Sequence, residues 1–139
     1  MCRGKNGIYY VEDVVRLRGT PDKVRRAIKN TSTQDGAKVR IGIEQDPGQA
    51  GKVEVNDLIR YLAGFNVKAY PVQKDKVTRA SPVSAQAEAG NVKLVRGDWN
   101  RDYLNELMNF PEGAHDDQVD GTSGGFQMLL KSEVNLTWV

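Results

Sequence analysis

Val39-Arg40-Ile41-Gly42-Ile43-Glu44-Gln45-Asp46-Pro47-Gly48-Gln49-Ala50-Gly51-Lys52 reads as a strand, a turn and the opening of a helix in direct succession. Val39, Ile41 and Ile43 alternate with their neighbours at the two-residue period of a half-buried strand. Asp46-Pro47-Gly48 is turn chemistry, with proline fixing φ and glycine permitting a sharp reversal. Glu44 therefore falls where the strand ends, the edge at which open α/β sheets bind ligands. Gly51-Lys52 invites comparison with a phosphate-binding loop, which needs glycine five residues before Gly51 and Ser or Thr after the lysine. Asp46 and Val53 stand there, so that loop is excluded. A carboxylate at a strand end, followed by a glycine-rich turn opening a helix, is what survives.

Working outward, strands and helices alternate. Residues 8–17 read as a strand after the Lys5-Asn6-Gly7 turn, and Thr20-Pro21 caps a helix to about residue 31, with Val24, Ala27 and Ile28 inward. Residues 38–43 form the second strand. Residues 53–63 carry Val55, Leu58, Ile59 and Leu62 at helical spacing, and Gly64 stops them. A third strand at 67–72 is kept short, or at an edge, by Pro71. Residues 76–89 read as a helix around Ser81-Pro82, where proline tolerates a first turn, and Gly90 ends it. A strand at 92–95 precedes a helix at 100–108 with Tyr103, Leu104 and Leu107 on one face, and residues 116–131 close the chain as a helix. This order predicts an α/β fold with a largely parallel sheet. Neither a repeat nor a domain boundary is visible, and residues 1–139 are expected to form a single domain.

The chain of 139 residues, 39% hydrophobic and 27% charged, is long enough for one soluble domain with a real core. Its net charge of +2 does not by itself specify a nucleic-acid partner. Two basic runs, Arg16, Arg18, Lys23, Arg25 and Arg26, then Lys74, Lys76 and Arg79, suit either phosphate tracking or a solvated face. A lone cysteine, Cys2, excludes an internal disulfide framework, and with the lone His115 it excludes a thiolate or histidine zinc centre. No apolar run approaches a membrane span and no signal-peptide core is present, which predicts an intracellular protein.

His115-Asp116-Asp117-Gln118-Val119-Asp120 concentrates like charges at the start of the last helix. Hard divalent cations take oxygen ligands, and a two-metal site needs several convergent carboxylates. Acids in a first turn also cap free amides and meet the positive end of the helix dipole, so the segment alone leaves both readings open. Glu88, among alanines, reads as one exposed charge on a closely packed helix. Trp99 and Trp138 suit packing better than base stacking.

Four segments in order, Glu44-Gln45-Asp46-Pro47-Gly48, Lys76-Val77-Thr78-Arg79-Ala80-Ser81-Pro82, Ala85-Gln86-Ala87-Glu88-Ala89-Gly90-Asn91-Val92 and His115-Asp116-Asp117-Gln118-Val119-Asp120, resemble the C-terminal nuclease domain of tailed-phage terminase large subunits. The likeness runs from about Gly7 to Leu130. It implies a ribonuclease H-like mixed sheet flanked by helices, and two-metal cleavage of concatemeric phage DNA during genome packaging, with Mg²⁺ or Mn²⁺ as cofactor. By position Glu44 matches the central metal-binding acid of that family, and Asp116 and Asp117 match the acids of its final helix. Asp120, one turn on from Asp117, is a further ligand or a supporting acid. His115 orients water or phosphate, or simply precedes the helix. Lys76 and Arg79 hold DNA phosphates or serve as surface charges.

In that family the first catalytic Asp lies on an opening strand before the one read at residues 8–17, and nothing before Gly7 supplies it. Asp13 aligns with a later edge strand and is not promoted. Walker motifs are absent, so the chain is expected to be a C-terminal piece lacking its N-terminal strand or strands and its ATPase domain, poorly active alone and prone to self-association. The partners implied are double-stranded DNA, an upstream terminase ATPase segment, the small terminase and the portal, in the cytoplasm of a phage-infected or lysogenic cell. The alternative is a catalytically degenerate DNA-binding or assembly module, or a prophage remnant.

Overall fold

A computed structural model describes residues 1–131. In chain order the elements are β1 (Cys2–Arg3), β2 (Tyr9–Val11), α1 (Pro21–Asp35), β3 (Arg40–Gln45), α2 (Gln49–Tyr61), β4 (Asn66–Pro71), α3 (Lys76–Glu88), β5 (Val92–Leu94), α4 (Asn100–Asn109) and α5 (Asp117–Lys131). They fall into two compact units, Leu17–Gln73 and a second made of Met1–Arg16 with the chain from Lys74 onward. In sequence, one is inserted into the other. The mixed α/β character is as expected, but the strands are shared between two small sheets, β1-β2-β5 and β3-β4.

In the unit containing both described ends, the Lys5-Asn6-Gly7 turn joins β1 to β2, and the unforeseen β1 pairs antiparallel, Cys2 with Tyr10 and Arg3 with Tyr9. Gly7 has φ 81°, a conformation glycine adopts without steric cost. β2 then runs parallel to β5, from Tyr9 beside Val92 to Val11 beside Leu94. The strand expected over residues 8–17 stops at Val11, because β5 offers only three residues. The Val95 amide closes the ladder on the Val11 carbonyl at 2.9 Å, and the Asp13 carboxylate accepts from the Val14 amide at 2.8 Å, a local bond that competes with strand pairing. Val15 and Leu17 are consequently exposed.

The core of this unit gathers Tyr9, Val83 and Phe126, with Met1, Val92 and Leu129 packed around them. The Tyr9 and Phe126 rings meet tilted, 4.7 Å apart, within the range favoured by aromatic quadrupoles. α5 buries Val119, Ser123 and Phe126, spaced as one helical face. Gly121, Gly124 and Gly125 lie in the same helix, each roughly 1 kcal/mol poorer than alanine, so packing of that face rather than intrinsic propensity sustains α5.

Three local expectations are corrected here. α3 is capped by Asp75, whose carboxylate accepts from the Thr78 amide at 2.9 Å. Pro82 therefore lies inside the helix rather than in its first turn, where its missing N–H leaves the Thr78 carbonyl without the usual donor. The buried positions of α3 are Ala80 and Val83; the alanines around the exposed Glu88 are exposed too, since they sit on other sides of the helix. In α4 the buried pair is Tyr103 and Glu106, while Leu104 and Leu107 are exposed. A charged side chain has taken an inward place because it finds amide donors there.

In Leu17–Gln73, α1 opens as expected, with the Thr20 hydroxyl accepting from the Lys23 amide at 3.4 Å and Pro21 in the first turn. It runs past residue 31 to Asp35, and Gly36 (φ 89°) ends it, donating to the Ser32 carbonyl. β3 and β4 pair in parallel from Arg40 beside Asn66 to Gln45 beside Pro71, which leaves Pro71 at the strand's last position, where its lost donor matters least. α2 packs on both strands and buries Val55, and its C-cap Leu62, which ends it ahead of the expected stop at Gly64, is fully buried too. Arg25 of α1 pairs with Asp57 of α2, Arg26 with Asp22 at 3.1 Å, and Lys29 stands over the Tyr61 ring at 4.9 Å. Two cations of the first basic run are thus engaged within the chain. Among the described residues no helix is long and apolar enough to cross a membrane.

Candidate functional site

The strand-turn-helix stretch places Glu44 inside β3, one residue before its end. Ile41, Ile43 and Gln45 are half-buried, whereas Arg40, Gly42 and Glu44 are exposed, so strand alternation puts Glu44 on the solvent face. The turn that follows is tight. Gly48 has φ 99°, and a Cβ on Gly51 would stand 2.4 Å from the Asp46 carbonyl oxygen. Glycine at that position serves close backbone approach within the turn, not a phosphate cradle.

The acids of α5 lie in the other unit, beside α3. Asp116 accepts the first helical bond, from the Asp120 amide at 2.9 Å, and is therefore the N-cap residue. An N-cap side chain ordinarily accepts from the second or third helical amide. Here both of those amides go to Glu106: its Oε1 accepts from the Gln118 amide at 2.6 Å and the Val119 amide at 3.3 Å, and its Oε2 from the Gln118 side-chain amide at 2.5 Å. Asp116 is consequently relieved of capping and pairs with the Lys76 ammonium. The Arg79 guanidinium donates to Asp120 Oδ1 at 2.8 Å, both side chains being largely buried. Asp117 and His115 are exposed.

The sequence thus singled out both members of two ion pairs, although as potential ligands of metal and of DNA rather than of one another. Lys76 and Arg79, three apart on α3, align with Asp116 and Asp120, four apart at the start of α5, spacings that put each pair on one helical face. The bond to Asp116 raises the Lys76 pKa. Asp116, Asp117 and Asp120 supply the hard oxygen donors that Mg²⁺ or Mn²⁺ prefers. As arranged, though, two of these acids are neutralised by side-chain cations, and among the described residues no three His, Cys, Asp or Glu side chains gather around a common point.

Glu106 is the residue that sequence reading missed. A glutamate between Asn105 and Leu107 carries no local sign of burial, and only its distance from Gln118 in space reveals its task. Trp99 packs edge-on against Tyr103, with ring centres 5.4 Å apart, in keeping with packing rather than base stacking, while Trp138 lies outside the described residues. A family model described as the terminase RNaseH-like domain matches residues 1–129. No curated protein and no solved structure matches the chain.

Proposed function

Because the chain belongs to the terminase ribonuclease H-like domain family, and so is a terminase nuclease module, we propose that it cuts concatemeric double-stranded phage DNA during genome packaging. We assign Glu44, Asp116 and Asp117 as the acids essential to cleavage, with Asp120 in support and Mg²⁺ or Mn²⁺ as cofactor. Bound divalent metal would supply charge stabilisation in phosphodiester hydrolysis. Lys76 holds Asp116 and Arg79 holds Asp120, and the two cations are placed to meet phosphates beside those acids. The partners proposed are DNA, a terminase ATPase segment, the small terminase and the portal, in the cytoplasm of a phage-infected or lysogenic cell.

The observation that carries this reading is the release of the Asp116 carboxylate from capping. Acids that merely began a helix would be occupied by its amides. A second reading, a DNA-binding or assembly module that no longer cleaves, is favoured by the two ion pairs, which already balance part of the negative charge.

Supercoiled plasmid incubated with Mn²⁺ and the chain, alone and together with a terminase ATPase segment, separates the two. Cleavage that falls by about a hundredfold or more in Glu44→Gln and in Asp117→Asn, with melting temperature unchanged, is expected of the nuclease. Cleavage that survives both substitutions overturns the residue assignment. Plasmid left intact under every condition, with no Mn²⁺-dependent rise in melting temperature, selects the second reading.

A further inference from the structure

Glu106 is only 7% exposed, and burial of a carboxylate is unfavourable unless donors replace its water. Those donors are the Gln118 and Val119 amides and the Gln118 side chain, at the positive end of α5. Three residues earlier on α4, the Tyr103 hydroxyl meets Thr122 Oγ1 at 2.9 Å, one helical turn beyond Gln118. α4 therefore grips α5 at two successive levels along one face. Burial pushes the Tyr103 phenol pKa up, and the nearby Glu106 charge adds to the shift.

We propose that Glu106 is a positioning residue for the acid-bearing turn. It fixes where α5 begins and how its first turn is rotated, so that Asp116, Asp117 and Asp120 are presented in one set orientation. The geometry is direct: the clamped amides belong to Gln118 and Val119, which lie between Asp117 and Asp120 in sequence. Without the clamp, the N-cap carboxylate of Asp116 is the natural replacement acceptor, and swinging inward would take it from Lys76 and from any outside ligand. Glu106 thus keeps Asp116 available by doing its capping for it. The consequence for ligand binding rests on the nuclease reading of those acids.

Hydrogen exchange and Mn²⁺ binding by equilibrium dialysis, both well below the melting temperature of each variant, test the role. Glu106→Ala is expected to speed exchange of the Gln118 and Val119 amides about tenfold, with the amides around Phe126 unchanged. It is also expected to weaken Mn²⁺ binding roughly tenfold. Glu106→Gln, which keeps a carbonyl oxygen for the backbone amides, should restore both. Unchanged exchange at Gln118 and Val119, loss of protection throughout α5, or Mn²⁺ affinity equal to that of the parent chain would each overturn the positioning role. Glu106→Asp, one methylene shorter but equally charged, replaces the alanine variant if that variant fails to fold, with the same outcomes decisive. A parent chain that takes up no Mn²⁺ instead overturns the nuclease reading of the acids, which separates the two failures.

Discussion

The first turn of α5 and the end of β3 both carry acids proposed as essential to cleavage, and the backbone that carries them is held by different means. Around α5, the turn is clamped by a buried glutamate, two of its acids are paired to cations of α3, and the helix behind it packs through Phe126 into an aromatic and aliphatic core. Glu44 stands on the exposed face of a two-stranded parallel sheet backed by α2. Two strands alone are marginal, so the backbone that carries it depends on the packing of α2 through Val55, on the buried C-cap Leu62 and on the turn at Asp46–Gly51. Polar clamps fix the backbone turn that carries one acid group, whereas strand register and a tight turn place the backbone that carries the other.

The largest effects should come from emptying the two cores. Phe126→Ala is expected to cost roughly 3–5 kcal/mol and Leu62→Ala about 2–5 kcal/mol, read from urea midpoints at constant slope. Exchange data on the same variants should show β3 amides losing protection in Leu62→Ala and α5 amides losing it in Phe126→Ala. If protection at β3 is untouched by Leu62→Ala, α2 is not what holds Glu44, and the contrast fails.

Gly51→Ala sharpens the turn side of the comparison. Alanine is the better helix former by about 1 kcal/mol, but its Cβ would press on the Asp46 carbonyl, and overpacking of this kind costs roughly 1–3 kcal/mol. A lower melting temperature is expected. A more stable variant would show that the turn gives way easily and that close approach is not what requires glycine.

The smallest effect concerns Lys76. Its pKa is raised in the folded chain by the bond to Asp116, so the pair contributes stability below the ordinary lysine pKa of 10.5 and loses it as pH climbs through the folded value. The melting temperatures of the parent and Lys76→Met should differ slightly near pH 8 and draw together as the pH rises beyond 10.5. A difference that persists undiminished at the alkaline end would assign the effect to the lysine stem rather than to the ion pair.

Residue pattern alone determined the alternation of strands and helices, the Thr20-Pro21 start, and the choice of Glu44, Asp116, Asp117, Asp120, Lys76 and Arg79 as residues of interest. These are local matters: side-chain period, cap chemistry and turn residues act over a few neighbours, and the ordered motifs carried the family. Tertiary structure decided what depends on partners distant in sequence. It shortened the strand at residues 8–17 to match a three-residue β5, divided the strands between two sheets, and turned Glu106 inward in place of Leu104 and Leu107. It also joined Lys76 to Asp116 and Arg79 to Asp120 across some forty residues of chain. A carboxylate's role depends on which donors surround it after folding, and no spacing within α4 or α5 specifies that Glu106 caps a helix so that Asp116 need not.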